Sequence, residues 1–209
     1  MKKIDWYFDF ISPFAYLSLK RFNTLPVDIE INPIPILFAG LLNHYDTKGP
    51  AEIKRMREYT FRHIVWLAQQ YQIPLTLPPA HPFNPLKYLR LSLLVENDLK
   101  AIESIFDFIW KEGRSAENET DWNTLSKALN ITNLESKISQ QTIKDQLLQN
   151  TQDAVKTGIF GVPTFVVDDE LFFGQDSMVF LTEYLQNPEI LHSKAMSLAD
   201  MLPEGITRK

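Results

Sequence analysis

Strand signals in this chain stand only at its two ends, so any sheet must be assembled from both termini around a helical middle. Ile4 to Phe10 (IDWYFDF) is rich in aromatic residues, as suits a short strand buried on both faces. Ser12-Pro13 then reads as a helix N-cap with proline at the first helical position, and Phe14, Leu17, Leu19 and Phe22 supply an apolar face. Val27 to Ile36 alternates apolar with polar residues before its two prolines, which predicts a second strand. From Leu37 to about Thr157 no strand pattern recurs.

Helix spacing takes over in that stretch. Ile53, Met56, Thr60, Ile64, Leu67, Ala68 and Tyr71 share one face, and further helices are predicted at Leu86 to Glu96, Ala101 to Trp110, Asp121 to Leu129 and Ser139 to Lys156. Five prolines in the fourteen residues Gln72 to Pro85 cannot continue a helix and imply an ordered irregular loop. Strand character returns at Thr164 to Asp168, with a turn at Asp169-Glu170 and a hairpin partner at Leu171 to Phe173. A closing helix at Met178 to Gln186 follows Asp176 or Ser177 as N-cap, and a last helix is expected around Ile190 to Met201.

Composition narrows the chemistry. The 209 residues contain no cysteine, which removes disulfides, CxxC redox chemistry, thiolate nucleophiles and cysteine-based zinc sites. Any sulfur chemistry must use a sulfur that is brought in. A net charge of −5 is the reverse of a nucleic-acid-binding footprint, no window approaches a membrane span, and the four histidines show no metal-ligand spacing. No nucleic acid, membrane or metal is therefore expected. Asp5, Asp9 and Pro13 interrupt the N-terminal apolar stretch, so no signal peptide is read there and a cytoplasmic location is expected.

The order is β-α-β, a helical insert, then α-β-β-α, that of a thioredoxin-like α/β domain with a four-stranded mixed sheet. The predicted division is residues 1–36 and 158–209 for that domain and 37–157 for the all-helical insertion. Gly161-Val162-Pro163-Thr164-Phe165 opens the third strand. Proline there either starts an edge strand in trans or, as expected here, is cis and turns the Val162 N–H and C=O toward a ligand.

Four segments carry a closer resemblance: YFDFISPFAYL (Tyr7 to Leu17), Lys48-Gly49-Pro50, LAQQYQIPL (Leu67 to Leu75) and IFGVPTFVVDDELFFGQD (Ile159 to Asp176). In these the chain resembles the 2-hydroxychromene-2-carboxylate isomerases, which form a clade with the kappa-class glutathione transferases inside the DsbA-like group. The resemblance implies glutathione as cofactor, an aromatic α-keto acid as substrate, and a homodimer. Ser12 occupies the position where redox relatives carry their first cysteine. It reads either as a plain N-cap or, as the resemblance implies, as the donor that stabilises the glutathione thiolate. By the same resemblance Val162 and Pro163 pair with the cysteinyl backbone. Gln175, Asp176 and Ser177 hold the γ-glutamyl group, and Lys48 the glycine end.

Two departures stand out: Ser177 replaces a usual arginine, and Thr47 and Glu52 lie near positions where asparagine is usual. Phe83 and Asn84 in the proline loop, with Tyr88 beyond it, are the candidate aromatic clamp for the second substrate. The basic run Lys48, Lys54, Arg55, Arg57, Arg62 and His63 suits a carboxylate on it, or is a solvated face. A kappa-like transferase or peroxidase, and a non-catalytic thioredoxin-like module, remain alternatives.

Overall fold

The structure, a computed structural model, describes residues 1–206. The last three positions of the expected 158–209 segment lie outside the described residues. Strand β1 (Lys2–Phe8) runs parallel to β2 (Ile29–Pro35), and β3 (Thr164–Val167) pairs antiparallel with both β1 and β4 (Glu170–Phe173). The order β2-β1-β3-β4 makes the expected four-stranded mixed sheet. β2 accommodates Pro33 and Pro35 because it is an edge strand, where a missing N–H breaks no ladder bond. The β3–β4 turn lies one residue earlier than expected. Asp168 and Asp169 both take positive φ (52° and 67°), the geometry that matches a two-residue hairpin to strand twist.

β1 separates two cores by strand alternation. Ile4, Trp6 and Phe8 enter the larger cluster, together with helices α1 (Pro13–Leu19), α3 (Lys54–Gln70), α4 (Leu86–Leu94) and α5 (Leu99–Phe106). Tyr7 enters the smaller one with Ile36, Leu41, Ala154, Ile159 and Val162, under α2 (Phe38–His44) and α8 (Gln141–Lys156). Aromatic contacts knit the larger core across the insert boundary: Trp6 stacks on Phe8 at 4.4 Å, and Phe106 lies 4.5 Å from Phe10 and 5.8 Å from Phe8. Trp6 and Tyr16 are both fully buried in this core.

The remaining helices are α6 (Glu119–Ala128), α7 (Leu134–Ile138), α9 (Met178–Gln186) and α10 (Lys194–Asp200). α2 and α7 are not foreshadowed by periodicity, each being shorter than two heptads and leaving too few apolar repeats to read. The predicted 101–110 helix passes from α5 into a π-type turn (Asp107–Lys111), and the predicted final helix is broken into a 3₁₀ turn (Pro188–His192) and α10, which Ser193 caps. Residues 72–85 form the expected irregular loop, with a cis bond before Pro82. Tyr16 on α1 donates its hydroxyl hydrogen to the Pro74 carbonyl at 2.6 Å, and Thr76 N–H donates to the Trp110 carbonyl at 2.7 Å.

Tyr16→Phe keeps the ring but leaves the Pro74 carbonyl without its donor. Urea unfolding is expected to show a loss of about 1–2 kcal/mol with an unchanged m value.

Candidate active site

The junction between β1 and α1 is buried, and buried backbone groups require partners. Carbonyl by carbonyl they are found: Ile36 N–H donates to Phe8 (3.0 Å), Ser12 N–H to Asp9 (3.0 Å), Trp110 Nε1–H to Phe10 (2.9 Å) and His81 Nε2–H to Ile11 (2.9 Å). A carbonyl only accepts, so the His81 proton sits on Nε2. Burial, opposed by this bond and assisted by the Arg57 charge, holds His81 below its ordinary pKa. The Asp9 side chain, 0% exposed, accepts from Ile11 N–H (3.0 Å) and Phe38 N–H (2.9 Å), tying the entry of α1 to the entry of α2. Desolvation raises the Asp9 carboxyl to about 7, against the two backbone bonds that favour its charged form.

At the end of this junction Ser12 caps α1 with extended backbone (φ −90°, ψ 110°), and Pro13 opens the helix. Ser12 Oγ accepts from Ala15 N–H and donates to the Val162 carbonyl, each at 3.3 Å. Pro13 has no N–H, so the Phe14 N–H is the first on the helix, and it has no acceptor among the described residues.

The Val162–Pro163 bond is cis, as expected from the sequence. The Val162 N–H has no acceptor among the described residues, whereas its carbonyl, expected to be unpaired, receives the Ser12 hydroxyl. Thr164 Oγ1 donates to the Gly161 carbonyl (2.8 Å), and Gly174 N–H donates to that of Pro163 (2.8 Å). A Cβ at Gly161 would stand 2.5 Å from the Phe173 ring, so any larger residue would require that half-exposed ring to move.

The segment after β4 is placed beside it by that Gly174 bond. Gln175 is 4% exposed, and Arg21 holds its carboxamide oxygen at 3.0 Å while lying 4.1 Å over the Tyr71 ring. Asp176 is exposed, with no hydrogen bond or ion pair among the described residues. Ser177 is the N-cap of α9 by position, but its hydroxyl donates back to the Gly174 carbonyl (2.7 Å) and caps no N–H.

The remaining candidates lie in the insert. Lys48 is exposed before the Pro50–Glu52 turn, without an ion pair among the described residues. Asn84 accepts from Leu86 N–H (3.0 Å) at the start of α4. Phe83 packs edge-on against Tyr88 at 5.8 Å, and Tyr88, 2% exposed, accepts from Ala116 N–H through its hydroxyl (2.6 Å). The structure thus brings Ser12, Val162 and Pro163 together and, through the Gly174 N–H bond to the Pro163 carbonyl, sets the segment that carries Gln175 beside them. Phe83 and Tyr88 are packed among other rings. Asp9, His81, Trp110 and Arg21 are the junction and segment holders that sequence reasoning missed. Asp9 alone left a signal, as a charge inside an apolar run.

Among the described residues no group of three or more His, Asp or Glu is arranged to hold a metal, and no helix is long and apolar enough to cross a membrane. A model of the DSBA-like thioredoxin domain matches residues 3–186. Glutathione S-transferase kappa 1 of Caenorhabditis elegans is 26% identical over 214 residues, covering 91% of this chain and 94% of that protein. The 2-hydroxychromene-2-carboxylate isomerase of Sphingobium xenophagum is 28% identical over 195 residues, 88% of this chain and 98% of its own. A solved structure of a 2-hydroxychromene-2-carboxylate isomerase superposes with a TM-score of 0.77 at 23% identity, covering 96% and 100% of the two chains.

Asp9 generates a pH prediction whose sign is set by its raised carboxyl. Its protonated form is favoured in the folded state, so its contribution is fully present below about pH 4 and is lost as pH rises through 7. Wild-type stability relative to Asp9→Asn should therefore fall by about 1 kcal/mol between pH 6 and pH 8, measured by urea unfolding of both proteins.

Proposed function

The chain belongs to the DSBA-like thioredoxin domain family, and on that premise we propose that it is a glutathione-dependent cis-trans isomerase of an aromatic α-keto acid, of the 2-hydroxychromene-2-carboxylate type. One observation carries the reading: in a chain without cysteine, the Ser12 hydroxyl meets the Val162 carbonyl beside two N–H groups, of Val162 and Phe14, that have no acceptor among the described residues. These donors suit an anion presented with a peptide backbone, which is what glutathione offers. The unpaired Val162 N–H supports that fit, since a strand-like ligand needs a free donor on the edge it joins.

Bound glutathione would supply a thiol whose reversible addition to an activated double bond permits rotation before elimination restores it. The chain's own part is electrostatic and positional. Ser12 Oγ–H, held only by a 3.3 Å bond to Val162, turns toward the sulfur and donates to its anionic form. The start of α1 adds the Phe14 N–H and the positive end of the helix. Asp176, free of partners among the described residues, takes the γ-glutamyl ammonium, with Gln175 and Ser177 contributing backbone. Lys48 takes the glycine carboxylate. Asp9, partly protonated near neutral pH, limits the negative charge beneath the site. Phe83, Asn84 and Tyr88 shape the wall of the proline loop.

The reading includes a cytoplasmic homodimer. Exposed apolar residues in the last two helices and just after them, among them Val179, Leu198, Met201 and Leu202, support a second subunit. A kappa-like transferase or peroxidase is the second reading, favoured by the transferase among the similar proteins. The two separate by stoichiometry, because an isomerase turns over its substrate without consuming glutathione. A non-catalytic module is the outcome if calorimetry detects no binding at millimolar glutathione.

Ser12→Ala is expected to lower turnover by about 10²–10³, as for loss of an oxyanion donor, while glutathione affinity changes little. Near-native turnover would overturn the role given to Ser12. Light scattering at micromolar protein should report about twice the 24.3 kDa chain mass.

A further inference from the structure

Helix α3 buries Ile64, Leu67 and Ala68, yet a second face of it carries a half-buried His63 between the exposed rings of Tyr59 and Trp66. Tyr59, His63 and Trp66 are spaced four and three residues apart, which places them in one row. The ring centroids confirm the row: His63 lies 5.6 Å from Tyr59, stacks on Trp66 at 6.1 Å, and meets the edge of Phe14 at 6.1 Å. Tyr59 is 66% and Trp66 54% exposed, so neither serves the core. Phe14 is two residues beyond Ser12, and the row therefore begins at the catalytic turn.

We propose that Phe14, Tyr59, His63 and Trp66 form the surface that takes the flat ring of an aromatic carboxylate, the second substrate of the Ser12 site. This inference rests on the reading of Ser12 given above. Charge argues for that occupant. α3 holds Lys54, Arg55, Arg57 and Arg62 against Glu58 alone, in a chain of net charge −5. Arg55 is paired with Glu58 and Arg57 donates to the His81 carbonyl, but Lys54 and Arg62 have no ion pair among the described residues. Of these two, Arg62 is three residues from Tyr59 and four from Trp66 and so stands beside the row, and a carboxylate joined to a ring matches both the cation and the rings.

A second copy of the chain matches it poorly. A two-fold interface brings a patch against itself, which here would oppose the basic residues of two α3 helices. The clamp expected at Phe83 and Tyr88 is also less available, because Tyr88 is packed in the core and its hydroxyl is already bonded.

Trp66 makes the test direct, since Trp6, Trp110 and Trp122 are 0–4% exposed and only Trp66 is open to a quencher. With no glutathione present, 2-naphthoate should bind saturably by calorimetry and shield Trp66 from acrylamide. Cyclohexanecarboxylate, which has the charge without the ring, should bind at least tenfold more weakly. The double variant Tyr59→Ala, His63→Ala, at solvent-accessible positions, should weaken 2-naphthoate binding at least tenfold while glutathione affinity stays within twofold. The proposal is overturned if that variant binds 2-naphthoate normally, or if acrylamide reaches Trp66 only when dilution separates subunits, the mark of an interface. Failure of wild-type protein to bind glutathione sinks the Ser12 reading instead, and the 2-naphthoate arm still reports on this surface.

Discussion

The entry to α1, and with it the position of Ser12, depends on satisfying four consecutive backbone carbonyls, from Phe8 to Ile11, at a largely buried junction. Local structure supplies one donor, Ser12 N–H. The others come from elsewhere: Ile36 after β2, Trp110 in the π-type turn that follows α5, and His81 in the proline loop. An unpaired buried carbonyl costs about 1–3 kcal/mol, so each donor fixes its element against the junction. The helical insert is joined to the sheet by these polar contacts as much as by the aromatic core above them.

Ser12 inherits its position from that arrangement. Its backbone N–H ends the junction, its hydroxyl spans to Val162, and the hydroxyl thereby links two segments 150 residues apart in sequence. The bond is long enough to be exchanged for a better acceptor, which is what the proposed anion-stabilising role of Ser12 requires. Asp9 contributes in the opposite sense. Burial makes its charged form expensive, so the carboxyl that organises both helix entries does not impose a full negative charge beside Ser12, where the proposed function holds an anion.

The rings are divided by burial rather than by type. Phe8, Phe10, Tyr88, Phe106 and Trp110 are buried and hold the insert on the sheet. Tyr59 and Trp66 have the same chemistry but stand on the outer side of α3, among cations. Its place on the helix after the proline loop put Tyr88 in the candidate clamp. The structure buries its ring and gives its hydroxyl the Ala116 N–H, which no sequence signal announced.

Much of the fold was legible because it rests on short-range rules. The Ser12-Pro13 cap, the apolar spacing of α3, the prolines that forbid helix in 72–85 and the strand-mouth proline at 163 all act within a few residues, and each was readable as such. The absence of cysteine likewise settled from composition that no side-chain thiol acts here. What sequence left undecided were contacts whose second partner is a backbone group, as at His81 with Ile11, Trp110 with Phe10 and Ser12 with Val162. A carbonyl looks the same at every position in a sequence, so nothing local marks which one a distant donor will meet. Tertiary structure alone made that choice, by deciding which backbone groups were sealed from water and therefore had to be matched from within the chain.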